Sequence, residues 1–126
     1  MSQPDLRTYA VHARSTDTFG RVLCSARDHH FVVDGPVQNG APGEELTPAE
    51  LFLAGVASCG VELVHVFARQ NEIPLERVLV SVRGEMDLDD PVREDVTVFN
   101  SVRVDFTLSG VERDQAEHLV ERFKSR

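Results

Sequence analysis

Cysteine is the side chain in this sequence best suited to act as a nucleophile near neutral pH, and it occurs twice, as Cys24 and Cys59. Cys59 sits inside a long apolar run. Setting residues at helical intervals of about 100° puts Ser58, Glu62, His65 and Arg69 on one narrow stripe, with Cys59 just beside it. Two readings suit that stripe, one functional and one structural. It is either a polar slot next to a thiol, fit for a small ligand, or the helix's one solvent-facing edge, with Glu62, His65 and Arg69 as a salt-bridged ladder. Cys59 likewise has two readings, a reactive thiol or a small buried apolar residue. An ordinary thiol with pKa near 8.5 is only about 3% thiolate at pH 7, so reaction as a nucleophile requires a positive charge nearby. The helix does not supply one. Cys59 lies roughly three turns from the N-terminus, beyond the reach of the terminal dipole, and a charged Glu62 at i+3 opposes a thiolate. Reactivity therefore calls for a cation from elsewhere.

The element that must position Cys59 is written clearly in the sequence. Thr47 can cap a helix, Pro48 suits the first helical position, and Glu50 stands three residues past the cap as a capping box requires. The pattern predicts a helix over about 48–70, followed by Ile73-Pro74. From Leu51 to Ala68 the run is almost entirely apolar or small, so the helix must be covered on nearly every side. At about 1.5 Å per residue it spans roughly 35 Å, more than one sheet can wrap. Glu62 and His65 inside the run, with no positively charged flank before it, argue against a membrane span. The remaining solution is a central helix packed on its own sheet and against a helix from another copy.

Around that helix the chain alternates between extended and turn-forming stretches. Three short strands are expected before it, at Thr8 to Arg14, Gly20 to Ala26 and His29 to Asp34, the last two so closely joined by Arg27-Asp28 that they form a hairpin or one bent ribbon. A loop of about a dozen residues carrying Gly35-Pro36, Asn39-Gly40 and Pro42-Gly43 leads to the helix. After it, Val78, Val80 and Val82 alternate with Leu79, Ser81 and Arg83 as one strand, and Val96, Val98, Val102, Val104, Phe106 and Leu108 mark another. Ser109 to Glu112 reads as a second capping box, opening an amphipathic helix over about 111–125 with Ala116, Leu119, Val120 and Phe123 on its apolar face. The order is βββ-α-ββ-α in a single α+β domain spanning 1–126.

Composition bounds the partners. The chain has 126 residues, 41% of them hydrophobic and 27% charged, which suits one core rather than two. A net charge of −8 argues against nucleic acid and against anionic membrane surfaces. Two cysteines are too few for a secreted disulfide framework, and no targeting segment opens the chain, so a reducing cytoplasm is the expected location. No metal and no cofactor is expected, since the chain has no zinc-ligand spacing and no Gly-rich phosphate loop. His29 and His30 are adjacent on a strand and point to opposite faces, so they are read as polar edge residues.

The stretch Arg27 to Pro36, the glycine-rich loop, and Pro48-Ala49-Glu50-Leu51 with Cys59 eight residues later at the centre of a helix together resemble the OsmC/Ohr family of small peroxide-related proteins. The resemblance covers nearly the whole chain. It implies an α+β fold, an intertwined homodimer with the long helices buried at its centre, and a thiol site at the subunit interface. It also implies reduction of organic hydroperoxides in oxidative stress defence, with Cys59 matching the helix cysteine that attacks the peroxide. The family's resolving cysteine stands in a Cys-Pro motif after the last helix. This chain ends at Phe123-Lys-Ser-Arg126, where that motif would begin, and Cys24 does not match its position. In the peroxide-reducing branches a glutamate that orients the catalytic arginine directly follows the proline. Here Ala49 stands there, and Glu50, about 100° further round the helix, is read as the cap. Arg27 is the candidate for the family's arginine.

Two functions follow as expectations. The first is thiol-dependent peroxide reduction through Cys59, with an external thiol or a missing tail completing the cycle. The second is a non-catalytic dimeric member of the family that holds a small apolar ligand in a cleft lined by Ser58, Glu62 and His65.

Overall fold

The structure, a computed structural model, describes residues 5–95 and 97–125. These form two compact units, one running to Leu51 and one beginning at Phe52.

The first unit is built on a three-stranded antiparallel sheet in the order β1-β2-β3, made of β1 (His12–Ser15), β2 (Arg21–Ala26) and β3 (His29–Asp34). β2 and β3 are joined by the two-residue turn Arg27-Asp28, with Ala26 facing His29. Arg27 adopts a left-handed φ of 55°, the hand such tight hairpins need. β1 starts at His12, not at Thr8 as the sequence pattern suggested. β2 ends at Ala26 and turns away, so the residues before His12 have no ladder to join. The loop after β3 contains a single 3-10 turn, Val37–Asn39, closed by Gly40 at φ 84°. Gly20, also left-handed at φ 79°, lies so close to Ala41 that an added Cβ would meet the alanine's own Cβ.

The second unit places most of α1 (Pro48–Gln70) and all of α2 (Arg113–Lys124) with the antiparallel pair β4 (Arg77–Glu85) and β5 (Ser101–Ser109). Strand alternation sets which side faces inward. Val78, Val80 and Val82 pair with Leu108, Phe106 and Val104, and all six are half-buried. The buried core comprises Val64, Phe67 and Ala68 of α1 and Leu119 of α2, with Ile73, Leu75, Val78, Phe106 and Leu108 packed against it. Gly60 lets α1 approach the sheet closely, since a Cβ there would touch Phe106 at 3.4 Å and Val80 at 3.5 Å. Phe106 meets Phe123 of α2 edge to face, with ring centroids 5.3 Å apart.

Several expected boundaries move for identifiable reasons. α2 starts at Arg113 rather than near residue 111, because Gly110 takes a left-handed φ of 87° that helix cannot continue from. Its capping box is not Ser109 with Glu112; the Glu112 amide instead donates to the side chain of Gln115 at 3.0 Å. β5 starts at Ser101, and Val98 belongs to the preceding loop. Asn100 closes that loop: its side chain accepts from the Asp87 amide at 2.7 Å and donates to the Asp90 carbonyl at 2.8 Å. Val96, expected to begin the strand, lies outside the described residues.

The long helix has the predicted bounds, yet the single chain buries it along one face only. Its buried residues are Gly60, Val64, Phe67 and Ala68, while Phe52, Ala54, Gly55 and Cys59 are exposed. Within the second unit the sheet and α2 pack on one side of the rod.

Candidate active site

α1 forms as its sequence dictates. The Glu50 carboxylate accepts hydrogen bonds from the Thr47 amide at 3.0 Å and from the Thr47 hydroxyl at 2.9 Å, and the Glu50 amide donates to that hydroxyl at 3.3 Å. These contacts hold the Glu50 carboxyl below the usual glutamate range, the Thr47 amide being the larger cause and its hydroxyl the second. Glu50 is thus occupied at the helix start, as a cap.

Cys59 lies at the middle of α1 with its residue exposed and its thiol unpaired. No hydrogen bond joins it to another described residue. Ser58, beside it, donates to the Gly55 carbonyl at 3.2 Å, so its hydroxyl is directed along its own helix. Glu62, His65 and Arg69 are exposed and rim an open groove of about 670 Å³, with Val66, Ile73 and Leu75 among its apolar walls. The salt-bridged ladder considered for this stripe is not formed among the described residues, where none of the three makes an ion pair. The groove therefore pairs an apolar wall with two unlike charges and an imidazole. Ser58 and Cys59 are not among its lining residues.

The remaining candidates belong to the first unit. Arg27 is exposed at the tip of the β2–β3 hairpin, where its backbone shapes the turn. Cys24 is half-buried on β2 opposite Ala13 and Phe31, and it is also unpaired. Among the described residues no group of three or more His, Cys, Asp or Glu side chains is arranged to hold a metal ion.

Sequence reasoning passed over a cluster in the first unit. Asp34, fully buried, accepts from Arg21 Nε at 2.8 Å and Arg21 Nη2 at 2.9 Å, and also from the amides of Glu44 at 3.0 Å and Glu45 at 2.9 Å. Arg21 Nη2 also reaches Glu44 Oε1 at 3.1 Å. The Arg21 guanidinium, helped by the two amides, outweighs desolvation and holds the Asp34 carboxyl far below its usual range, while Asp34 and Glu44 push Arg21 upward. The signal was present in the turn. A two-residue hairpin at Arg27-Asp28 fixes the register, and that register sets Arg21 opposite Asp34.

Comparison with known proteins agrees with this architecture. The OsmC-like protein family profile matches residues 41–126, a span that contains α1 and Cys59. An OsmC-like protein from Mycoplasma pneumoniae superposes with a TM-score of 0.80 at 14% identity, covering 95% of this chain and 82% of its own. An organic hydroperoxide resistance protein from Legionella pneumophila gives a TM-score of 0.74 at 22% identity, with 97% and 85% covered. The organic hydroperoxide resistance protein OhrB of Bacillus subtilis gives 0.62 at 22% identity, with 94% and 84% covered. At these identities the superpositions speak to fold alone. A search of curated protein sequences gave no match. With a family profile that spans the helix, its cysteine and everything after them, and a fold shared with solved OsmC and Ohr structures, the chain belongs to the OsmC-like protein family.

Proposed function

We propose that this chain works as a homodimer that reduces organic hydroperoxides through Cys59. The observation that carries the reading is an accessible, unpaired thiol at the centre of the helix that the family profile spans. The Cys59 thiolate attacks one peroxide oxygen, the O–O bond breaks, and the leaving alkoxide takes a proton to become an alcohol. Cys59 is then a sulfenic acid. An external thiol condenses with it, releasing water and forming a mixed disulfide, and a second thiol restores the cysteine. The cation that favours the thiolate comes, in this reading, from the partner subunit, with Arg27 as the candidate.

The dimer rests on the uncovered flank of α1. A helix that is apolar on nearly all sides but buried on one leaves Phe52, Ala54 and Gly55 in the open. α1 is long and apolar enough to cross a membrane, but Glu62 and His65 within it favour a second copy as the cover. Two unpaired cysteines suit a reducing cytoplasm.

The test is peroxide consumption with a small-molecule thiol as reductant. Cys59→Ser is expected to abolish it, Cys24→Ser to leave it intact. Equal turnover by Cys59→Ser removes the enzymatic reading. A second function, non-catalytic capture of a small apolar ligand, is favoured by the groove beside Glu62 and His65 and by the engagement of Glu50 as a cap. Thiol labelling of Cys59 across pH separates the two. Titration near or above the ordinary thiol range, with slow oxidation by organic peroxide, supports capture.

A further inference from the structure

The fully buried carboxylate of Asp34 lies outside the chemistry proposed for Cys59, yet it accepts four hydrogen bonds. It fills a socket made from the Arg21 guanidinium and the consecutive amides of Glu44 and Glu45. Those amides follow Gly43, at a left-handed φ of 63°, so the backbone there turns successive N–H groups toward one anion, as in the nests that bind free anions. The three partners of Asp34 lie on both sides of it in sequence. Arg21 is on β2, and Glu44 and Glu45 are at the far end of the loop that leaves β3.

We propose that Asp34 is a latch, and that the loop from Gly35 to Leu46 is a strap which this carboxylate holds closed over the end of the β2–β3 hairpin. The remaining ties are few and occupy the same end of the sheet. The Asp34 amide donates to the Leu46 carbonyl at 3.0 Å, and the Gly35 amide donates to the Gly20 carbonyl at 2.8 Å. Ala41, almost fully buried, is seated where Gly20 and Gly35 leave it room. The strap runs directly into Thr47, the cap of α1, so the latch fixes where the helix that carries Cys59 begins. The outer Arg21–Glu44 pair contributes little to this, because Glu44 is largely in solvent.

Hydrogen exchange resolved by residue tests the latch, and does so independently of any activity of Cys59. In Asp34→Ala the amides of Glu44, Glu45 and Gly35 are expected to exchange about tenfold faster or more, while Val64, Phe67 and Leu119 keep their protection. Sodium formate, whose carboxylate can enter the vacated socket, is expected to restore that protection beyond what sodium chloride of equal ionic strength does. Should Asp34→Ala not fold, Arg21→Lys serves instead. It keeps the charge, loses the bidentate contact, and is expected to loosen the same amides selectively. Glu44→Ala is expected to leave them protected. Unchanged protection in Asp34→Ala, restoration no better with formate than with chloride, or an Arg21→Lys loss spread evenly along the chain overturns the proposal.

Discussion

Glu50 and Thr47 engage each other through both backbone and side chain: the Glu50 carboxylate takes the amide and the hydroxyl of Thr47 at 3.0 and 2.9 Å. A carboxylate so committed is not available to orient an arginine. Thr47→Ala is expected to lower stability by about 1 kcal/mol, the usual cost of losing a helix cap. Glu50→Gln is expected to lower the melting temperature slightly and to leave the rate of Cys59 oxidation by an organic hydroperoxide unchanged. A large fall in that rate in Glu50→Gln would return Glu50 to the thiol chemistry.

Acid acts on the same contacts. Asp34 and Glu50 are both held below their ordinary values by donors present only in the folded chain, chiefly Arg21 for Asp34 and Thr47 for Glu50. The unfolded chain therefore binds these protons first as pH falls. The stability they contribute is complete above the ordinary carboxylate range, near pH 4 to 5, and is lost as pH drops through the folded values. Relief of the net charge of −8 acts in the opposite sense over the same range, so differences between variants are more informative than the bare curve. The urea midpoint of Glu50→Gln is expected to lie below that of the native chain at pH 7 and to approach it by pH 3. A constant gap between the two curves would contradict the assignment.

Local signals in the sequence carried α1 in full. Thr47, Pro48 and Glu50 mark its start and Ile73-Pro74 closes the run, all within a few residues of the boundary they set. β4 was equally plain, because one face of a two-stranded sheet is covered and the other wet, which writes the alternation of Val78, Val80 and Val82 into the chain. What a residue's neighbours do not encode was harder to read. Whether Thr8 belongs to a strand depends on where β2 stops, and whether Val98 does depends on how Asn100 pins the loop. Asp34 read only as the last residue of a strand, since its partners come from 13 residues before it and 10 and 11 residues after it. At the candidate site, the position of Cys59 on the helix was legible. What covers the opposite flank of that helix was not, because the apolar run says that the flank needs cover and does not name the residues that supply it.

Leu119 has no exposed surface and lies in the same cluster as Val64, Phe67 and Ala68. Truncating it removes three heavy atoms from the place where α2 meets α1 and leaves a cavity there. Leu119→Ala is expected to cost about 3 kcal/mol, measurable as a lower urea midpoint with an unchanged slope. Leu79→Ala, at a residue 62% exposed on the outer face of β4, is the control, and is expected to shift the midpoint far less. Similar losses for the two would mean that the outer face of the sheet is covered as well.

Gly55 tests the uncovered flank of α1 by the sign of one substitution. It lies mid-helix, and a Cβ built there meets nothing within 4 Å. If the flank faces water in solution, Gly55→Ala removes a poor helix former at no steric cost and raises stability by about 1 kcal/mol, whatever the protein concentration. If a second copy packs there, as proposed, the new methyl enters a contact fitted to glycine and pushes the two helices apart. Gly55→Ala is therefore expected to raise the dimer dissociation constant about tenfold, equivalent to about 1.4 kcal/mol, and to make the melting temperature fall on dilution more steeply than for the native chain. Sedimentation equilibrium and melting at several concentrations read both quantities. A melting temperature that rises and ignores concentration would leave α1 without the partner its composition demands.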